Sequence, residues 1–151
     1  MPKSRRFAAP DTAGSVAQAT TRLPEWNLAD LYEGVDSSGL KGDLAAVEAD
    51  ATRFEEAYKG KLAGLPGKQL GAAIAAYEKI SETLSRLSSY AQLLHAGNMS
   101  DATIGQFYQT LQERVTDISS RTLFFALEIN RVDDATLAKV LGGNAAKIYG
   151  L

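Results

Sequence analysis

The sequence predicts an all-α protein, an antiparallel bundle of long helices. Apolar residues recur at steps of three and four over long stretches, the spacing that lines one face of a helix. Nowhere do they alternate with period two over a useful length, so no strand competes. Glycine, proline and asparagine punctuate the pattern at a few points only, which leaves room for helices of about 30 residues, each spanning roughly 45 Å. Short connections between them make sequential helices antiparallel neighbours, and the near-heptad spacing favours shallow crossing angles. With 151 residues, 45% of them hydrophobic and 23% charged, the chain has the composition of a soluble globular domain with a real core.

The first helix is expected from Ser37 to Tyr58, with Leu40, Leu44, Val47, Ala51, Phe54 and Tyr58 on one stripe. Asp36, Ser37 and Ser38 are candidate caps, because their side-chain oxygens can accept from the unpaired N–H groups of a first turn. Gly39 and Gly42 weaken that turn, and Gly60 is a stop. The run Gly64-Leu65-Pro66-Gly67 marks a turn, with Pro66 suited to the first position of the next helix. That second helix reads to Ala96, on the stripe Leu70, Ile74, Tyr77, Ile80, Leu84, Leu87, Ala91 and Leu94. Glu82 and Arg86 sit one turn apart in the favourable order for a surface ion pair, and Gly97-Asn98 ends the helix.

Ser100 is the expected cap of a third helix, with Asp101 at its positive end. Ile104, Tyr108, Leu111, Val115, Ile118, Phe125 and Ile129 form its stripe. Leu123 to Leu127 is apolar on more than one side, so this end is expected to be buried on two faces and to need further partners. Asp133 then caps a short helix from Ala135 to Leu141, closed by Gly142-Gly143. No internal repeat relates the helices.

Two domains of the sequence differ in composition. Residues 1–22 are rich in Ala, Ser and Thr and carry Lys3, Arg5, Arg6 and Arg22 against Asp11. No apolar stretch follows that basic start, as a secretory signal would need; the segment reads as a flexible extension, with an Arg-bearing, acid-poor transit peptide as the alternative. Residues 23–151 carry the helical pattern. No apolar run approaches the roughly 20 residues that cross a bilayer, so no membrane partner is expected. The net charge of −2 gives no basic field for nucleic acid.

Candidate chemistry is sparse, and no catalytic, cofactor-binding or metal-binding residue is assigned. The chain has one histidine, His95, and no cysteine. A helical zinc site of the His-Glu-x-x-His kind needs two imidazoles one turn apart, which a single histidine cannot supply. His95 is expected to rest against the last carbonyls of its helix. Glu55-Glu56 and Asp133-Asp134 are paired in sequence, but neighbouring helical residues point about 100° apart and do not converge on one substrate. The first pair reads as a solvated face and the second as a cap. No Gly-x-Ser-x-Gly turn and no phosphate-binding loop is present; Gly142-Gly143 closes a helix rather than opening one, so it makes a poor anion cradle. Phe54, Tyr58, Tyr77, Tyr108, Phe124 and Phe125 fall at core spacing rather than forming a stacking platform. Trp26, before the first helix, reads as a plug closing one end of the core, with a role in gripping a ligand as the alternative expectation.

Two blocks are more distinctive: Leu23 to Leu44, LPEWNLADLYEGVDSSGLKGDL, and Arg86 to Asp134, with the words SYAQLL, IGQFYQ and LFFALEINR. In this order they resemble the N-terminal helical region of oligoendopeptidase F, within the thimet-like oligopeptidases, over residues 23–141. Asn27, Ser38-Gly39 and His95 depart from that pattern. The resemblance implies a larger, nearly all-helical cytoplasmic zinc metallopeptidase that hydrolyses short peptides. Its N-terminal helices form part of a channel wall, and its zinc lies on a His-Glu-x-x-His helix and a downstream Glu. There the metal polarises the scissile carbonyl and activates water, with the motif Glu as general base. None of those motifs occurs in these residues. The chain is therefore expected to be the N-terminal substrate-channel domain, truncated before the catalytic domain, inactive and without bound zinc by itself, with the missing catalytic domain and short peptides as partners. The alternative expectation is a stand-alone helical protein-interaction module that binds another protein through the apolar surface near Leu123–Leu127.

Overall fold

The computed structural model describes residues 27–132. The basic segment 1–22, Trp26, the Asp133-Asp134 pair, the expected short helix from Ala135 to Leu141 and Gly142-Gly143 lie outside the described residues. Within them the protein is all-helical: α1 (Ser38–Tyr58), a 3₁₀ turn (Leu62–Gly64), α2 (Gly67–Gly97) and α3 (Ala102–Ile129). Each of the three α-helices packs against the other two.

The chain enters α1 through a tight turn in which Leu31 and Tyr32 both donate backbone N–H groups to the Leu28 carbonyl. Asn27 caps this turn, its Oδ1 accepting from Ala29 N at 3.0 Å. An amide oxygen is a sufficient acceptor for such a cap. Of the three candidate caps of α1, Ser37 takes the role, with Oγ accepting from Leu40 N at 3.4 Å. The expected stripe of α1 is buried at Leu40, Leu44, Val47, Ala51 and Phe54, and Tyr58 packs half-buried against the same core.

At the far end Lys59 N still donates to the Glu55 carbonyl, and Gly60 then turns left-handed with φ 77°. Its N–H, free of the helix, donates to Glu128 Oε1 of α3 at 2.8 Å. The 3₁₀ turn that follows was not legible as an element. It drives Leu62 into the core with none of its surface exposed.

Pro66 is the N-cap of α2 and not its first helical residue; its carbonyl accepts from Gln69 N and Leu70 N. Gly97 is the last residue of α2, one beyond expectation. Asp101, not Ser100, caps α3. Its Oδ1 accepts from Thr103 N at 2.8 Å and Ile104 N at 3.2 Å, so one carboxylate satisfies two unpaired donors while facing the positive end of the helix. Arg86 does not turn to Glu82 on its own helix. It crosses to Asp43 of α1 at 3.2 Å.

The expected double burial near the end of α3 is corrected in part. Phe124 and Phe125 are buried, but Leu123 and Leu127 are 61% and 62% exposed, one turn apart on the opposite side.

Two glycines predict opposite outcomes for one substitution. An added Cβ at Gly60 or Gly42 meets no atom within 4 Å, so backbone conformation alone decides. Gly60→Ala should cost about 1 kcal/mol, because an L-residue is strained at positive φ. Gly42→Ala, inside α1, should stabilise by roughly 0.5–1 kcal/mol by narrowing the unfolded ensemble. Urea denaturation of both variants checks the sign. In the same assay Leu62→Ala should lose about 2–5 kcal/mol, as expected for a core leucine; a loss below about 0.5 kcal/mol would show that the 3₁₀ turn does not close the core.

Candidate functional site

Two aromatic clusters mark the two ends of the helical core. At one, Phe54 of α1 lies 5.1 Å from Tyr58, 6.2 Å from Tyr77 of α2, and 5.5 Å from both Phe124 and Phe125 of α3. Tyr77 and Phe125 stack face to face at 4.4 Å. These rings fill space between helices, as their spacing in the sequence predicts. They present no open platform for a planar ligand.

At the other end Tyr32 packs edge-on against Tyr90 at 5.2 Å, and Tyr90 edge-on against Phe107 at 6.3 Å. The Tyr32 hydroxyl donates to Asp43 Oδ2 at 2.8 Å, and the Arg86 guanidinium reaches the same oxygen at 3.2 Å. Tyr32, Asp43 and Arg86 therefore form one polar link joining the entry turn, α1 and α2. Burial pushes the Tyr32 phenol up to about 12; the hydrogen bond to Asp43 and its negative charge push the same way, with Arg86 opposing. Burial also raises Tyr90. A phenol held protonated this firmly donates a hydrogen bond and does not act as a base near neutral pH. No spacing rule connects residues 32, 43 and 86, so the link has no signature along the chain.

His95 does not rest on helix-end carbonyls. Its ring lies over Tyr108 of α3 at 4.9 Å, nearly parallel at 12°, and an added Cβ on Gly105 would sit 3.9 Å from its Nε2. The imidazole thus packs α2 against the start of α3. Glu55 and Glu56 do not converge: Glu55 pairs with Lys59 at 2.6 Å, and Glu56 is exposed. The Lys59 hydrogen bond holds the Glu55 carboxyl below its ordinary range, which keeps it ionised rather than poised for proton transfer.

Among the described residues, two of the surface depressions bear on a candidate site. One, of about 280 Å³, lies between α1 and α2 over Phe54, Tyr58 and Ile80. Its rim carries Asp50, which pairs with Arg53 and with Lys79 at 3.4 Å. The other, open and about 960 Å³, runs along the outward side of α3 past Gln109, Gln112, Glu113, Thr116 and Asp117. Neither brings a nucleophile, a base and an oxyanion donor together. Among the described residues no three His, Cys, Asp or Glu side chains group as metal ligands. With one histidine and no cysteine in the whole chain, the donors present do not fit a peptidase zinc centre. No helix among the described residues is long and apolar enough to cross a membrane.

The Tyr32 link has a measurable pH signature. The folded phenol titrates above the ordinary value of 10.0, at about 12, so the folded state holds its proton where the unfolded state has lost it. This contribution is complete below pH 10 and is lost as pH rises through about 12. Tyr32→Phe should flatten the fall in unfolding free energy across that window, and should cost about 1 kcal/mol at neutral pH from the lost hydrogen bond. An unchanged alkaline slope in the variant would rule out the link as its source.

In comparison with known proteins, no family model, curated protein or solved structure matches the chain.

Proposed function

We propose that the chain is the N-terminal, substrate-channel domain of a cytoplasmic zinc metalloendopeptidase of the oligoendopeptidase F kind, and that its role is to shape access for short peptides rather than to cleave them. The observation that carries this reading is the collinear order of the resembling words and their convergence in space. Tyr32 belongs to the first block, Tyr90 to SYAQLL and Phe107 to IGQFYQ, and the three rings pack in sequence at one end of the helices. Phe124 and Phe125 of LFFALEINR pack on Phe54 at the other. An antiparallel bundle accounts for both clusters, since the end of α1 meets the first half of α2 and the end of α3. Such a bundle offers a stiff wall, and a channel bounded by stiff helices admits extended peptides while excluding folded chains. The residues that would hold zinc and activate water belong to the catalytic domain of the full-length enzyme.

The coding sequence tests this directly. The reading frame should run past Leu151 for a few hundred residues and encode His-Glu-x-x-His; a stop codon directly after Leu151 would overturn the assignment. The isolated 151-residue chain should retain no stoichiometric zinc after dialysis and should leave a short fluorogenic peptide intact. Chelator-sensitive cleavage by this chain would place the chemistry within it and contradict the division of labour.

A second reading, a stand-alone helical interaction module, accounts equally well for one observation, the exposed Leu123 and Leu127 pair. Both readings give these leucines a protein to meet, in the one case the rest of the same enzyme and in the other a separate partner. Because the pair is exposed, Leu123→Asp with Leu127→Asp should shift the stability of the isolated chain by less than about 1 kcal/mol. Light scattering of the isolated chain should show self-association that the same variant reduces; a wild-type chain that stays monomeric, or a variant that associates as strongly, would count against a sticky surface at this pair.

A further inference from the structure

We draw no further inference here: the strongest candidate, the outward face of α3 running from the open depression at Gly105 to the exposed Leu123 and Leu127, is an unpartnered surface, and nothing in the structure shows what covers it.

Discussion

Phe54 is the point on which the three helices depend. Among the described residues it is the one ring that touches aromatic side chains from α1, α2 and α3 together. Helices with single apolar stripes have no intrinsic reason to choose one axial offset over another, because leucine packs against leucine at many registers. A large planar ring with several ring neighbours is less forgiving, since offset and edge-to-face geometries are each satisfied over a narrow range. Two devices hold the region around Phe54. Leu62 fills the base of the core from the 3₁₀ turn, and Glu128 on α3 accepts the Gly60 N–H. The left-handed residue that ends α1 therefore also ties the loop to the third helix.

The opposite end is fixed by different chemistry. There Asp43 accepts from both Tyr32 and Arg86, so the entry turn is secured by a charge-assisted junction as well as by ring packing. Other charged pairs cross the helices at similarly solvent-accessible positions, Glu48 with Arg114 at 2.6 Å and Asp50 with Lys79 at 3.4 Å. Exposed pairs of this kind contribute little individually, about 0–1 kcal/mol. They share a useful asymmetry: in these three pairs α1 supplies the acid, while α2 or α3 supplies the base. A helix slipped by one turn would lose these partners, so the charges discriminate between registers even where they add little stability.

Much of this was legible along the chain because α1 buries one narrow face, and a narrow face leaves a clean 3.6-residue period. Its stripe from Leu40 to Phe54 is the buried set. The second helix was harder. Its buried set includes Ala73 and Tyr90 beside the expected residues, while Ile74, Tyr77 and Leu94 are only partly buried. The buried arc of α2 is wider than that of α1, and a single stripe drawn through it misses its edges. Leu62 was missed for another reason: a three-residue turn has no period to detect. Arg86 was assigned to Glu82 on the local i,i+4 rule, and Asp43 was invisible to that rule because it lies on another helix. The caps differed by one residue where two capping side chains adjoined, as at Ser100 and Asp101.

The absence of an assigned chemical centre had a different source, since one histidine and no cysteine bound the available donors before any fold is known. Composition of that kind restricts chemistry more firmly than it restricts shape. From the words that resemble a peptidase, Tyr32, Tyr90, Phe107, Phe124 and Phe125 enter the two ring clusters, where the demand on each side chain is volume and planarity. Core words of this sort carry information about architecture, because their replacement disturbs packing wherever the active site lies. They say little about the reaction, whose requirements fall on residues that need not pack at all. The surface of α3 obeys a third logic. Leucines at 123 and 127 lie off the stripe that runs through Ile118, Phe125 and Ile129 and stay exposed, but Phe124 is equally off that stripe and is buried, so periodicity alone could not separate them from Phe124. What separates them is which side the neighbouring helices occupy. The aromatic pair faces Phe54 and the leucine pair faces away, a distinction set by tertiary packing rather than by hydrophobicity.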